Sequence, residues 1–338
     1  MSPICRAVLR LAKWQAPDPA MLDVKRQCIK TMTYHKQQPL LAAAMVTGAM
    51  ALFGLIDNFM RLAAETGGLW QFHLLRGLMA VAILLPAALW FGARLRPLSP
   101  GRVLARSTLN SLAMVIYFGC LGFMPIAQVA AGLFTAPLFV VLFNVLLFGV
   151  RPGPQRLSAV ALGFGGIVLA LWDGVGALSG WTLLPVVAGA LYGLGNLVTR
   201  RWCGAEGTLV LLGSFFAMMA LWGGLGVLVL ALWPLPVPPG GDGFITRGWV
   251  MPQGIFAVMI GVQAVGSLIG VGLSIRAYQI AEPTMVAVCE NTLLVFATVW
   301  AMILWAEYPT PLAQLGLAMV TAAGIWIALG ARPVPAPA

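Results

Sequence analysis

Ten apolar runs follow one another between residues 39 and 330, each long enough to cross or nearly cross a bilayer. A hydrocarbon core about 30 Å thick takes about 20 apolar residues per helix. Only structures that satisfy their own backbone polar groups can lie in it. The runs predict helices near 39–60, 68–91, 105–122, 126–149, 157–173, 180–198, 207–233, 253–275, 283–305 and 311–330. Breakers stand between them at Arg94–Pro100, Met124–Pro125, Arg151–Pro154, Asp173–Gly180, Pro234–Gly243 and Tyr308–Pro311. The expected fold class is therefore an all-α polytopic membrane protein with ten transmembrane helices. Composition agrees, because 60% of the 338 residues are apolar and 9% charged, against about 25% charged in a soluble domain. A soluble enzyme, a nucleic-acid-binding domain and a disordered chain are excluded on that ground.

The net charge of +10 would suit a nucleic-acid partner if it were clustered on one surface. Instead, the basic residues sit in short segments beside apolar runs, where they orient a membrane protein. With the N-terminus in the cytoplasm, seventeen of the twenty Lys and Arg fall on the cytoplasmic side, among them Arg94, Arg96, Arg102, Arg106, Arg151, Arg156, Arg200, Arg201, Arg276 and Arg332. Arg61 and Arg247 fall outside, and Arg76 lies within a span. That asymmetry predicts both termini in the cytoplasm and a multi-pass inner-membrane location. Residues 1–38 carry seven Lys or Arg and no apolar stretch of signal-peptide length. They read either as a basic cytoplasmic tail or as an extension upstream of a start at Met21 or Met32. Five scattered cysteines with no CxxC pair indicate neither a zinc site nor a disulfide framework.

The chain also resembles itself. Residues 125–137 read PIAQVAAGLFTAP and residues 279–291 read QIAEPTMVAVCEN. Each follows a span ending in small residues, and each leads into a long apolar helix that closes on a polar, proline-containing turn. Five spans separate the copies, so the second copy enters the membrane in the opposite sense. Inverted repeats of odd span number characterise secondary transporters; chance likeness between apolar segments is the competing explanation. The expected organisation is a tail at 1–38, a five-helix repeat over 39–175, a second over 176–331 and a short cytoplasmic tail at 332–338.

Several short motifs then resemble one family. Asp57-Asn58-Phe59-Met60-Arg61 resembles the acidic-to-basic pair that ends the first helix of EamA-type transporters in the drug/metabolite transporter superfamily. Gln71 to Arg76 resembles the Q-x-x-x-x-R of their second helix. Pro125-Ile126-Ala127 with Thr135-Ala136-Pro137 resembles their fourth helix, and Glu290-Asn291-Thr292 with Ala306-Glu307 their ninth. His73, Asn291 and Ala306 depart from the pattern. The likeness covers about residues 39–331 and leans toward the branch with riboflavin and S-adenosylmethionine carriers. It implies two inverted five-helix repeats around a central cavity.

An ionisable side chain at the bilayer centre costs about 2.5–3.5 kcal/mol to insert, so those present call for a reason. By a rise of about 1.5 Å per residue, Arg76 lies about 13 Å below the outer surface and Glu290 about 12 Å above the inner one. Both therefore reach mid-depth. Either they share a cavity, with Glu290 taking a cation or proton and Arg76 an anion, or they pair and lock two helices together. His73, one turn from Arg76, suits either a proton-coupled step or a structural donor. Asp57 and Arg61, at i,i+4 spacing, read as a local ion pair or a gate contact.

Neutral candidates follow from the cavity that the resemblance implies. They are Asn110 and Tyr117 in the third helix, Gln128, Thr135 and Asn144 in the fourth, and Tyr192 and Asn196 in the sixth. Gln263 and Ser267 in the eighth join them, with Asn291 and Thr292 in the ninth, where Trp300 reads either as a surface that stacks on a planar substrate or as core packing. Such groups can also simply bond between helices for about 0.6 kcal/mol each.

No GxxxxGK[ST] motif is present, so ATP hydrolysis is not built in. The expected function is secondary transport of a small polar metabolite by alternating access, either proton-coupled or by exchange, with no cofactor or metal. Its partners would be a small-molecule substrate and the bilayer, with no nucleic acid, as a monomer or homodimer. The rivals are a membrane scaffold or channel-like subunit and, less favoured, an intramembrane enzyme, for which no HExxH or adjacent carboxylate pair exists.

Overall fold

Proline opens five of the helices in the computed structural model of the chain, which describes residues 38–330 apart from 94, 121–128, 130–131, 151, 171–182 and 307. The fixed φ of proline suits a first helical position, where its missing N–H would be unpaired in any case. The helices are α1 (Pro39–Asp57), α2 (Met60–Thr66), α3 (Leu69–Trp90), α4 (Pro100–Cys120), α5 (Ala136–Phe148) and α6 (Pro154–Ala170). They continue with α7 (Leu183–Trp202), α8 (Thr208–Leu232), α9 (Gly254–Ile280), α10 (Pro283–Glu290), α11 (Thr292–Trp305) and α12 (Pro311–Gly330). One short 3-10 turn lies at Gly240–Gly243, Val129 and residues 132–133 are also helical, and no strand occurs among the described residues.

Seven segments are long and apolar enough to cross a membrane: α1, α3, α4, α7, α8, α9 and the α10–α11 pair. α5, α6 and α12 are apolar but shorter over their described residues. The expected helix at 126–149 begins in residues outside the described set, as do Gln128, Glu307 and both tails.

Three expected helices need correction. The first breaks after Asp57, where Asn58 donates to Gly54 O at 2.6 Å and to Ala297 O at 3.0 Å. The amide competes with the helix ladder and ties the break to α11. The ninth breaks at Asn291, between α10 and α11. The third begins at Pro100 instead of 105, so Arg102 joins Arg106 within α4. Pro100, the last residue of the expected breaker, is itself the first helical residue.

Glycine governs how closely the helices pack. α3 lies against α8, α6 against α12, α4 against α7 and α1 against α9. A Cβ on Gly77 of α3 would sit 2.7 Å from Phe216 O, and one on Gly223 of α8 2.6 Å from Trp70 O. A Cβ on Gly166 of α6 would sit 2.7 Å from Gly316 O of α12. Such small-residue contacts drive helix association in lipid, where apolar area alone supplies no force. Gly189 of α7 lets residues 132–135 approach and Gly193 lets α5 approach, while Gly266 and Gly270 of α9 admit Ile56 and Phe53 of α1.

Burial is uneven along one span. All eight residues of α10 are buried, whereas none of α11 is. α10 packs against α1, α5, α6 and α12, within an apolar cluster that includes Val46, Val140, Val160, Val286 and Ile327.

Candidate functional site

A cavity lies where α1, α3, α4, α5, α7, α8, α9 and α10 converge. Its volume is about 120 Å³, counted as space open to the centre of a water molecule. Much of the wall is apolar, with Met50, Phe53, Met114, Phe118, Phe134 and Phe215. Into this wall project four ionisable side chains: Asp57, Arg76, Arg106 and Glu290. Among the described residues, no oppositely charged pair joins these four within ion-pair distance.

Glu290 is the last residue of α10, just before the break at Asn291. Its two carboxylate oxygens accept separate hydroxyls, from Tyr192 of α7 at 2.9 Å and Tyr278 of α9 at 2.7 Å. Two hydrogen bonds to the charged form suit a carboxylate placed away from water. They also tie three helices to one side chain. Asp57 ends α1 and accepts from Gln263 of α9 at 3.1 Å; the same amide nitrogen donates to Ile56 O at 3.2 Å.

Arg76 is 4% exposed. Its guanidinium carbon stands 5.1 Å from the centre of the Phe72 ring and 5.4 Å from that of Phe118, a range in which ring quadrupoles attract a cation. One terminal nitrogen lies 3.5 Å from His73 Nδ1, and Nε has no partner. Arg106 is 2% exposed. It donates from Nε to Thr199 Oγ1 at 2.9 Å and from Nη1 to Leu211 O at 3.2 Å. With its oxygen facing Arg106, the Asn110 amide accepts from Nε and Nη2 at 3.2 Å.

The structure brings ten expected residues to this cavity: Asp57, Arg76, Asn110, Tyr117, Tyr192, Asn196, Gln263, Ser267, Glu290 and Asn291. Others are buried elsewhere or turned to local bonds. His73 packs edge-on against Phe118 at 5.2 Å, behind Arg76. Thr135 and Thr292 donate to Gly132 O and Cys289 O, closing the turns that precede α5 and α11. Trp300 donates to Ala51 O at 3.2 Å and joins α11 to α1. Asn144 accepts from Arg201 at 2.9 Å. Gln128 and the side chain of Arg61 lie outside the described residues; the i,i+4 spacing of Asp57 and Arg61 is interrupted by the turn at 58–59.

Sequence reasoning missed Arg106, Ser274 and Tyr278. Arg106 counts among the cytoplasmic-side charges at the start of the expected third helix; the signal that moves it inward is Pro100 as a helix start. Ser274 and Tyr278 carry no such signal. Tyr278 reaches Glu290 only because the chain turns between α9 and α10. At one end of the helices, Glu206 accepts from Leu98 N and Ser99 N at 2.8 and 2.7 Å, and Gln279 donates to Glu206 O at 2.8 Å. At the other, Gln71 exchanges two bonds with Val250, and Arg247 donates to Ala64 O at 2.9 Å. Among the described residues, no cluster of three His, Cys, Asp or Glu could hold a metal ion.

Residues 40–172 match the EamA-like transporter family. The chain is 27% identical over 239 residues to the riboflavin transporter of Rhizobium johnstonii, covering 70% of this chain and 72% of that one. It is 23% identical to the pseudopaline exporter CntI of Pseudomonas aeruginosa, covering 66% and 73%. An uncharacterized transporter of Helicobacter pylori is 22% identical, covering 86% and 96%. A solved crystal structure superposes with a TM-score of 0.67 at 18% identity, over 86% of this chain and 96% of that one, and so shares the fold.

Proposed function

We propose that this multi-pass membrane protein, which carries an EamA-like domain of the drug/metabolite transporter superfamily, is a secondary carrier of a small polar metabolite in an inner membrane. The observation that carries the reading is the cavity itself. Four ionisable side chains lie inside a bundle of apolar helices and line one space without pairing among themselves. Intramembrane charges mark substrate or ion pathways by default. The transporter relatives support the same class.

Alternating access between two inverted five-helix halves is the mechanism that best uses this site. Its support is the pattern of helix pairs. Count α1, α3, α4, α5 and α6 as the first half and α7, α8, α9, α10–α11 and α12 as the second. The α1·α9 contact then has α4·α7 as its counterpart, whereas α3·α8 and α6·α12 are each their own counterpart. Gly77 and Gly223 occupy facing sides of one self-paired seam, and Gly166 and Gly316 of the other. α5 and α11 both end on a left-handed residue, Gly149 at φ 64° and Ala306 at φ 54°. In this reading the ten spans leave both termini in the cytoplasm. The Glu206 and Arg247 bond clusters close opposite ends of the pathway and open in turn.

Within the cavity, Arg76 and Arg106 hold the substrate, and Glu290 couples its movement to a proton or to exchange. Tyr192, Asn196, Asn110, Tyr117, Gln263 and Asn291 shape the space, and Asp57 closes its α1 side. The test is uptake and efflux of radiolabelled metabolites in proteoliposomes, with riboflavin, S-adenosylmethionine and amino acids in the panel. The parent is expected to move at least one compound and Glu290→Gln to stop it. Equal transport in both would remove Glu290 from the mechanism. A silent panel would favour a scaffold.

A further inference from the structure

We infer that Tyr278 and Gln279, neighbours near the end of α9, couple Glu290 to the closure of the bundle at its Glu206 end. The inference deepens the carrier reading, in which that end opens and closes, and it makes both side chains positioning residues.

The two hydroxyls on Glu290 are not equivalent. Tyr192 lines the cavity, whereas Tyr278 forms no part of the cavity wall and is 1% exposed. A ligand in the cavity meets Tyr192 and Glu290, and acts on Tyr278 only through Glu290. The next residue along α9 belongs to another cluster. Gln279 Nε2 donates to Cys203 O at 3.3 Å and to Glu206 O at 2.8 Å, and its Oε1 accepts from Thr208 Oγ1 at 2.8 Å. Its backbone oxygen accepts from Arg200. One glutamine thus fastens the turn between α7 and α8 to the end of α9. The Glu206 carboxylate carries the tie onward to Leu98 N and Ser99 N, just before α4.

Neighbouring residues of a helix are separated by a rise of about 1.5 Å and a turn of about 100°. Tyr278 and Gln279 therefore address different partners from one stiff backbone. A hydrogen bond of 2.8 Å is lost by about 3.5 Å, so a shift of about 1 Å at the end of α9 cannot keep both sets. The connection to α10 is also fixed: Glu282 accepts from Met285 N at 3.1 Å and lies 3.7 Å from Arg156 of α6. An ionised carboxylate holds a hydroxyl about twice as strongly as a neutral acceptor does. A proton or a cationic group delivered to Glu290 from the cavity removes that advantage. The end of α9 is then freed, and the Gln279 bonds loosen with it.

Cys203 is a native reporter of this closure, since it is fully buried and Gln279 bonds its carbonyl. Its alkylation by N-ethylmaleimide is timed on the full chain in lipid nanodiscs and resolved by peptide mass spectrometry. Cys120 and Cys289, buried elsewhere, are the internal controls. Gln279→Leu strips the turn of its partners and is expected to speed Cys203 at least tenfold. Tyr278→Phe, which removes only the hydroxyl on Glu290, should speed it at least fivefold, and Glu290→Gln about threefold, with Cys120 and Cys289 unchanged. Should Tyr278→Phe fail to fold, Glu290→Gln reads the same link from its other side. An unchanged Cys203 in these variants overturns the coupling, and so does equal acceleration of all three cysteines, which marks general loosening. Labelling needs no substrate, so the coupling and the carrier fail separately. A silent proteoliposome panel removes the carrier, whereas an unchanged Cys203 beside active transport removes only the coupling.

Discussion

α10 and α11 are two pieces of one apolar run, yet they sit in different solvents. Every residue of α10 is buried against protein, and no residue of α11 is. Ile303 of α11 is 66% exposed on the protein surface, whereas Val286 of α10 is fully enclosed. α10 ends on Glu290 and faces the cavity; α11 carries no charge and rests one side on α1. The break at Asn291 divides them. A buried carboxylate needs fixed donors, and protein on every side is what brings Tyr192 and Tyr278 to it. A lipid-facing helix offers neither donors nor reason for a charge. The comparison separates the part of the span built to hold a site from the part built to hold it in the bilayer.

Substitutions can break that contrast. Glu290→Leu has the largest expected effect. It removes the acceptor of two buried hydroxyls, each costing about 1–3 kcal/mol when left unpaired. A large fall in the melting temperature of the detergent-purified protein, with transport lost, is the expected result. Glu290→Gln keeps an acceptor and should lose transport with a much smaller change in melting. If both variants melt alike, the tyrosine bonds do not hold the three helices together.

Val286→Ala against Ile303→Ala sharpens the comparison of solvents. The first leaves a cavity in packed protein and should lose about 2 kcal/mol. The second removes more carbon, but lipid chains can refill the space, so under about 0.5 kcal/mol is expected. Equal losses would mean that α11 is covered by a second protein surface. Trp300→Phe keeps one aromatic ring and removes the indole N–H that bonds Ala51 O, for an expected loss of at least about 1 kcal/mol. Ala306→Gly is the smallest and opposite in sign. A left-handed alanine is strained, and glycine relieves that strain while adding freedom to the unfolded chain. The net gain should be about 0.5 kcal/mol, read as a slight rise in melting temperature.

The position of Glu290 as a membrane-buried charge was legible in the sequence, because an acidic residue eight positions into an apolar run has no other place to go. So were the small residues of α7 and α9, which recur at the four-residue spacing of a helix interface. Asp57 was half legible. Its i,i+4 spacing to Arg61 suggests a local pair, but the turn at Asn58 interrupts the helix on which that spacing depends, and Asp57 meets Gln263 instead. The break itself was hidden because an asparagine within an apolar run does not by spacing reveal whether it bonds outward or back to its own helix. Arg106 stands at the very start of the expected third helix, on its cytoplasmic side; the earlier start at Pro100 sets it deeper in the helix and makes it a cavity cation.

Apolar length, breaker positions and charge distribution determined that this chain lies in a membrane as helices, because a bilayer leaves few other ways to satisfy a backbone. Residue type also determined where charge enters the membrane, since each ionisable group there is rare enough to stand out. Which of those charges share a space, and which donors remain unpaired beside them, was decided only by tertiary structure. Tyr278 is twelve residues from Glu290 and Tyr192 is ninety-eight. Contacts between helices depend on their rotation and separation, which the glycine seams set through close approach and which no periodicity along a single helix encodes.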